Sequence, residues 1–228
     1  MIAPSTLVVL AGGLGKRMGE YTNGTAKALV PVAGEPFLVS VLRSYRSQGI
    51  TDVILCTGHR AQQVQDVLGD GAELGLRIAH SVEPEPLGPV GALRHARSLL
   101  PDTFLLTYCD VVLTIALSPF VEAARECGYP AVMAVGKAPT AAETNVLLRE
   151  KRVSAYSKNP PPEGAVYCDR GLLVLSRELL DRHPGRDEEA FYGSLAANGE
   201  LGAVRIQEAG MDIGTADRYE RYLRIGAK

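Results

Sequence analysis

An apolar run, Leu7 to Leu10, is followed almost at once by Gly12, Gly13 and Gly15. No other juncture constrains the chain as much. A short, unbroken apolar run reads as a strand buried on both faces, the kind that parallel sheets contain. Glycines directly after such a strand let the backbone take positive φ and let its N–H groups come close to a phosphate. Lys16 and Arg17 follow, then Lys27. They supply countercharge, Arg as a bidentate fork and Lys as a point charge. A polyphosphate site is the natural reading. The loop alone is a weak signal, because Gly13 to Gly19 also satisfies a relaxed dinucleotide-binding G-x-G-x-x-x-G pattern. It is not a Walker A loop, since no G-K-[ST] ends it.

The rest of the first half alternates strand and helix. Pro36 suits the first turn of a helix whose apolar face is Phe37, Val41, Leu42 and Tyr45, closed by Gly49. Residues 52–57 read as a strand and Gly58-His59-Arg60 as the turn into a helix with Val64, Val67 and Leu68. A strand over 76–79, a loop over 81–89, a helix with Leu93, Ala96 and Leu100, and a strand over 103–107 follow, with Asp110 just past its end. The pattern predicts an α/β fold: a doubly wound, mostly parallel Rossmann-like sheet with right-handed crossovers. The second half is richer in strands, at 130–135, 145–149, 153–158 and 171–175, with a hairpin turn at Glu150-Lys151. Helices at 176–182 and 188–197, a strand at 203–206 and a helix from Ala216 complete it. A single domain over 1–228 is expected, with a nucleotide-binding half (about 1–125) and a second half (about 126–228), without a C-terminal β-helix array.

The net charge of -2, with both signs mixed, argues against nucleic acid and membrane surfaces as partners. Phosphate binding must therefore come from a local basic cluster. Cys56, Cys109, Cys127 and Cys168 are scattered, and no targeting segment stands before the first strand. They read as reduced thiols of a cytoplasmic protein, not a disulfide frame or a zinc site. His59, His80, His95 and His183 have no Cys or acidic partner at useful spacing and read as surface or packing residues.

The run from Leu10, L-A-G-G-L-G-K-R-M-G followed by K-A-L-V-P-V-A-G-E-P-F-L, resembles the signature of the sugar-1-phosphate nucleotidyltransferases, or nucleotide-sugar pyrophosphorylases. That family reads L-A-G-G-x-G-T-R-L, then P-K-x-L-x-P-V-x-G-x-P. The likeness is strong in this motif, fair at 83–93 and 212–219, and loose between; it lies nearest the short mannose- or heptose-1-phosphate guanylyltransferases. It implies transfer of a nucleoside monophosphate from an NTP to a sugar 1-phosphate with release of pyrophosphate, aided by Mg²⁺. The NTP is expected to bind first, because the Gly-rich loop and Lys27 must fold over phosphate before the sugar site closes. Any homodimer or higher homo-oligomer contact is expected largely on the second half.

Carried over residue by residue, the resemblance makes Arg17 and Lys27 the catalytic cations, although Ala26 replaces the usual proline before Lys27. Leu10, Ala11, Gly12, Gly13, Gly15 and Lys16 would form the nucleotide loop. Lys16 stands where the family has Thr, and either touches phosphate or points outward. Asp110, after Cys109 rather than Gly, and Asp212 in the D-I-G-T motif would be the metal carboxylates. Glu83 and Gly88 fall in the base-recognition segment, with Pro89 replacing Thr. A carboxylate only accepts hydrogen bonds. It therefore favours guanine, with two adjacent donors, over uracil or thymine, whose one N–H lies between carbonyls; Glu85 is the alternative, and dTTP, UTP and CTP stay open. In the sugar-phosphate site Lys158 would hold the phosphate, and Asn145, Asp169, Arg170 and Gly171 would meet the sugar hydroxyls, with Glu143 nearby.

Three rival readings are weighed. A dehydrogenase wants an acid at the end of the second strand, where this chain has Gly58-His59-Arg60, and leaves Lys27 and Asp212 without a role. A molybdopterin-type nucleotidyltransferase shares A-G-G-x-x-x-R-M-G but not the D-I-G-T ending. A non-catalytic nucleotide sensor needs the loop but not both aspartates.

Overall fold

The computed structural model describes residues 5–112, 115–183, 185–207 and 211–226. Its organising element is a nine-stranded sheet. The strands, in chain order, are β1 (Thr6–Leu10), β2 (Asp52–Thr57), β3 (Arg77–Val82), β4 (Thr103–Tyr108), β5 (Ala131–Lys137), β6 (Val146–Arg149), β7 (Arg152–Tyr156), β8 (Tyr167–Ser176) and β9 (Leu201–Arg205). Their spatial order is β3-β2-β1-β4-β8-β5-β9-β7-β6. The first four are parallel, as the strand–helix alternation predicts. From β8 onward the sheet is mixed: β8 runs antiparallel to β4 and β5, β9 runs parallel to β5, and β6 and β7 form the hairpin around Glu150 and Lys151.

Helices cover both faces, so the sheet is doubly wound. They are α1 (Phe37–Ser47), α2 (Ala61–Leu68), α3 (Pro89–His95), α4 (Leu117–Cys127), α5 (Leu179–Arg182), α6 (Glu188–Ala197) and α7 (Ala216–Gly226). Leu7 and Val9 point to a core layer with Phe37, Leu42, Val64, Phe120 and Tyr219. Val8 and Leu10 point to the opposite layer with Leu93, Leu180, Phe191 and Leu195. This alternation is the two-residue period of a strand buried on both faces, and all four side chains are at most 9% exposed. None of the described helices is long and apolar enough to cross a membrane.

Several boundaries differ from the sequence reading: β8 begins at Tyr167 rather than at 171, and α3 ends at His95, short of the expected Leu100. β3 continues to Val82 rather than ending near 79, because its backbone stays in register with β2 through Thr57↔Val82. The helix expected over 176–182 begins only at Leu179: Arg177 is held instead by Asp102 and the Leu100 carbonyl. The four cysteines are free thiols, three of them buried. His183 is a packing residue as expected, but it does have an acidic partner: its Nε2 lies 2.5 Å from Glu200 Oε2, with Nδ1 2.8 Å from Ser194 Oγ. The packing of the chain after α5 against α6 and its end, not sequence spacing, makes that pair.

Candidate active site

The Gly-rich loop leaves β1 at its carboxyl end, where open α/β sheets form their crevices. Leu10 and Ala11 are buried, so at these positions only the backbone can face a ligand. Gly12 gives way to Glu83: a Cβ there would lie 2.6 Å from Glu83 Oε1. Gly58, from the loop after β2, does the same at 2.4 Å, so two glycines make the slot in which the Glu83 carboxylate sits. Oε2 of Glu83 accepts the Leu87 N–H at 3.2 Å. Burial pushes the Glu83 carboxyl above its ordinary value, with the Leu87 bond and the nearby His95 opposing. Gly13 has open space where a Cβ would be, and Gly15 takes a left-handed conformation with φ 68°.

The stretch after the loop is anchored from α2 and its approach. Arg60 donates to the Thr22 and Thr25 carbonyls at 2.6 Å each, and Gln63 binds the Gly24 carbonyl and the Ala26 N–H. This bracing holds residues 22–26 and presents Lys27 inward. Lys16 and Arg17 begin a 3₁₀ segment, Lys16–Thr22, and both are exposed. Among the described residues neither makes an ion pair or side-chain hydrogen bond, and Arg17 lines the cavity described next.

Asp110 and Asp212 are far apart in sequence but adjacent in space. A two-stranded ribbon pairs Val111–Val112 with Met211–Asp212, and the Ile213 N–H donates to the Asp110 carbonyl at 2.9 Å. Gly214 completes the cradle. A Cβ on it would lie 2.8 Å from Asp110 Oδ2, 3.0 Å from Asp212 Oδ1 and 3.7 Å from Lys27 Nζ. Lys27 Nζ pairs with Asp110 Oδ2, both side chains being nearly buried. Arg218, from α7, donates Nη1 to Asp212 Oδ2 at 2.7 Å and Nη2 to Glu143 Oε1 at 2.8 Å. Each aspartate therefore carries a cation.

Beside them opens a polar cavity of about 260 Å³, lined by Arg17, Asp110, Asn145, Lys158, Asp169 and Glu188 among others. A second of about 450 Å³ shares Arg17, Asn145, Lys158, Asp169, Arg170, Asp212 and Arg218. Asn145 Oδ1 accepts the Asp169 N–H at 2.9 Å, and Asp169 Oδ1 accepts the Gly171 N–H at 2.7 Å, with Gly171 at φ 71°. Lys158 Nζ donates to Glu188 Oε1 at 2.8 Å, and the Tyr156 hydroxyl lies between Asp169 Oδ2 at 3.1 Å and Glu188 Oε1 at 3.2 Å, sharing its one proton between them. Burial, then the Asp169 charge, raises the Glu188 carboxyl, while Lys158 pulls it back.

Glu188, Tyr108 and Arg218 line these cavities but were not picked out in the sequence, and neither was Tyr156, which stands behind the lining on Asp169 and Glu188. Glu188 opens α6 behind the N-cap Asp187, so an acid at a helix start was visible, but nothing local aims it at a cavity. Lys16 and Glu85 are exposed, and neither is among the residues lining the two cavities.

Known proteins resemble this chain in sequence and in fold. A model of the MobA-like NTP transferase domain matches residues 7–182. The mannose-1-phosphate guanylyltransferase of Mycobacterium tuberculosis is 30% identical over 226 residues, 94% of this chain and 62% of that protein. The mannose-1-phosphate guanyltransferase beta-B of Xenopus laevis is 28% identical over 217 residues, 91% of this chain and 60% of that protein. The chain thus spans about three fifths of the length of the curated relatives it matches. Among solved structures, HddC from Yersinia pseudotuberculosis superposes with a TM-score of 0.82 at 20% identity, covering 97% of this chain and 99% of that one. A putative glucose-1-phosphate thymidylyltransferase from Bacillus anthracis gives 0.83 at 20% identity, covering 96% and 94%. HddC has also been solved with GMP-PN.

Proposed function

Because the chain belongs to the MobA-like NTP transferase domain family, we propose that it transfers a nucleoside monophosphate, best GMP from GTP, to a sugar 1-phosphate, best mannose or heptose 1-phosphate. A phosphate oxygen of the sugar 1-phosphate attacks the α-phosphorus of the NTP. The bond from that phosphorus to the bridging oxygen of the β-phosphate breaks, and pyrophosphate leaves. The observation that carries the reading is the convergence of Lys27, Asp110 and Asp212 around the bare Cα of Gly214, opening onto a cavity that also holds Arg17 and Lys158.

Mg²⁺ fits this donor set. Two carboxylates approach the space that a Cβ on Gly214 would fill, and no described group of three or more His, Cys, Asp or Glu forms a fuller cage. Mg²⁺ commonly takes one or two carboxylates and completes its shell with phosphate oxygens and water. When bound it neutralises charge on the reacting phosphates. Asp110 and Asp212 would hold it. Lys27 would pass from Asp110 to the α-phosphate, and Arg17 would stabilise the five-coordinate phosphorus. Glu83 would accept from the guanine N1–H and 2-amino group.

The test is pyrophosphate release with Mg²⁺, each of the four ribo-NTPs and dTTP, and a panel of sugar 1-phosphates. GTP with mannose or heptose 1-phosphate is expected to give the highest rate. No release with any pair would overturn the reading; another base or sugar would correct only its finer part.

A further inference from the structure

The geometry points to Arg218 as a positioning residue that changes partners: without metal it caps Asp212, and with substrates in place it grips the phosphate of the sugar 1-phosphate. This rests on the reading above. Asp110 carries Lys27 and Asp212 carries Arg218, so the two carboxylates are neutralised by two resident cations. A divalent ion held between the aspartates competes with both cations for the same charges. Each displaced cation then needs a new anion. Lys27 has the α-phosphate; the adjoining cavity offers Arg218 the second phosphate.

Arg218 is built for such a move. Its backbone is fixed: the Tyr219 hydroxyl donates to the Pro31 carbonyl, and the Tyr219 ring lies 4.8 Å from that of Tyr21, edge on. Tyr222 packs on Phe37 with ring centres 5.6 Å apart. Its side chain is 41% exposed and lines both polar cavities, together with Arg17 and Lys158. Glu143 holds Nη2 while Nη1 holds Asp212, so the guanidinium can pivot on Glu143 as Nη1 turns from carboxylate to phosphate. A guanidinium suits that exchange, because Nη1 can donate to a phosphate oxygen as it does to a carboxylate oxygen while Nη2 stays on Glu143. Asp212 does not depend on Arg218 to stay in place, since its Oδ1 accepts the Gly214 N–H at 3.0 Å.

Two readouts test this on R218Q, E143Q and the parent protein. Mn²⁺ binding to nucleotide-free protein, followed by electron paramagnetic resonance, is expected to tighten about three- to tenfold in R218Q, because a competing cation is gone. In steady state, the KM for the sugar 1-phosphate is expected to rise about tenfold, with the KM for NTP changed less than about twofold. E143Q, which frees the guanidinium but keeps its charge, is expected to raise the sugar-phosphate KM about threefold. Unchanged or weaker Mn²⁺ binding in R218Q overturns the exchange, whatever the activity. An unchanged sugar-phosphate KM would leave Arg218 as a countercharge for Asp212 alone and also overturn it. If R218Q does not fold, as judged by circular dichroism, R218K is measured instead. Its shorter, non-planar cation is expected to shift both readouts in the same directions by less, and the parental values in R218K would overturn the proposal. If the parent protein transfers nothing, the functional reading fails by itself, and the Mn²⁺ comparison still decides whether Arg218 competes for Asp212.

Discussion

The Gly-rich loop and the cavity beside it are made of different materials. The loop is mostly backbone: glycines at 12, 13 and 15, with Lys16 and Arg17 making no ion pair among the described residues. The cavity is mostly side chains already joined to one another, Lys158 to Glu188, Tyr156 to Asp169, and Arg218 to Asp212 and Glu143. A ligand entering the loop breaks few internal bonds. A ligand entering the cavity must displace or share ion pairs that the protein already makes. Loop substitutions should therefore appear mainly in the rate, and cavity substitutions in substrate KM and pH dependence. The aspartate pair, where the two regions meet, should appear in everything.

The largest effect is expected at that meeting point. Asp110→Ala removes one carboxylate of the pair and leaves Lys27, whose side chain is only 12% exposed, without its partner. Turnover is expected to fall about a thousandfold or more, measured as pyrophosphate release at saturating substrates. Asp212→Ala should fall comparably. A residual rate above about a tenth of the parent value would show that the two regions do not converge on one reaction centre.

Arg17→Ala comes next. Turnover is expected to drop roughly a hundredfold, with the KM for NTP shifted only a few-fold, because an unpaired loop cation does its work on the charge that develops at phosphorus. Equal losses in both would make Arg17 a binding residue, and the loop would then resemble the cavity.

The same contrast governs what the sequence made legible. Residues 10–27 are contiguous in the chain, so the loop, Arg17 and Lys27 could be read directly. Asp110 was readable because it follows a buried strand and Asp212 because it opens the D-I-G-T motif, although only the ribbon of Val111–Val112 with Met211–Asp212 brings them together. The parallel strands announced themselves by apolar runs. Glu188 and Arg218 did not, because each sits in the first turns of a helix among other charges, and only the packing of α6 and α7 aims them inward. Tyr108 and Tyr156 were hidden for another reason: an aromatic residue in a strand reads as core, and theirs is a core position whose hydroxyl reaches a polar network.

Glu83, just past β3, lies against the loop but is held like a cavity residue, in the slot between Gly12 and Gly58. Glu83→Gln replaces an acceptor-only group by an amide that presents both donor and acceptor. The preference for GTP over UTP, as a ratio of kcat/KM values, is expected to narrow about tenfold. An unchanged ratio would remove Glu83 from base recognition and leave it as part of the loop's packing.

The smallest effect tests the cavity's internal pairing through stability. The Glu188 carboxyl is raised by burial and by Asp169, with Lys158 opposing; Tyr156, Tyr192 and Tyr108 complete its surroundings. A carboxyl whose folded pKa exceeds its unfolded one binds more protons in the folded state between the two values. Stability then falls as pH rises through that window. The cost of ionised Glu188 is absent below the unfolded pKa and complete above the raised one. Glu188→Gln never ionises, so its melting temperature relative to the parent should climb across the same window and then level off, over a span of roughly 1–3 °C. A difference that stays flat with pH, or falls, would mean that Lys158 has already neutralised the burial cost. The cavity would then be a settled network rather than one held under electrostatic load until its ligand arrives.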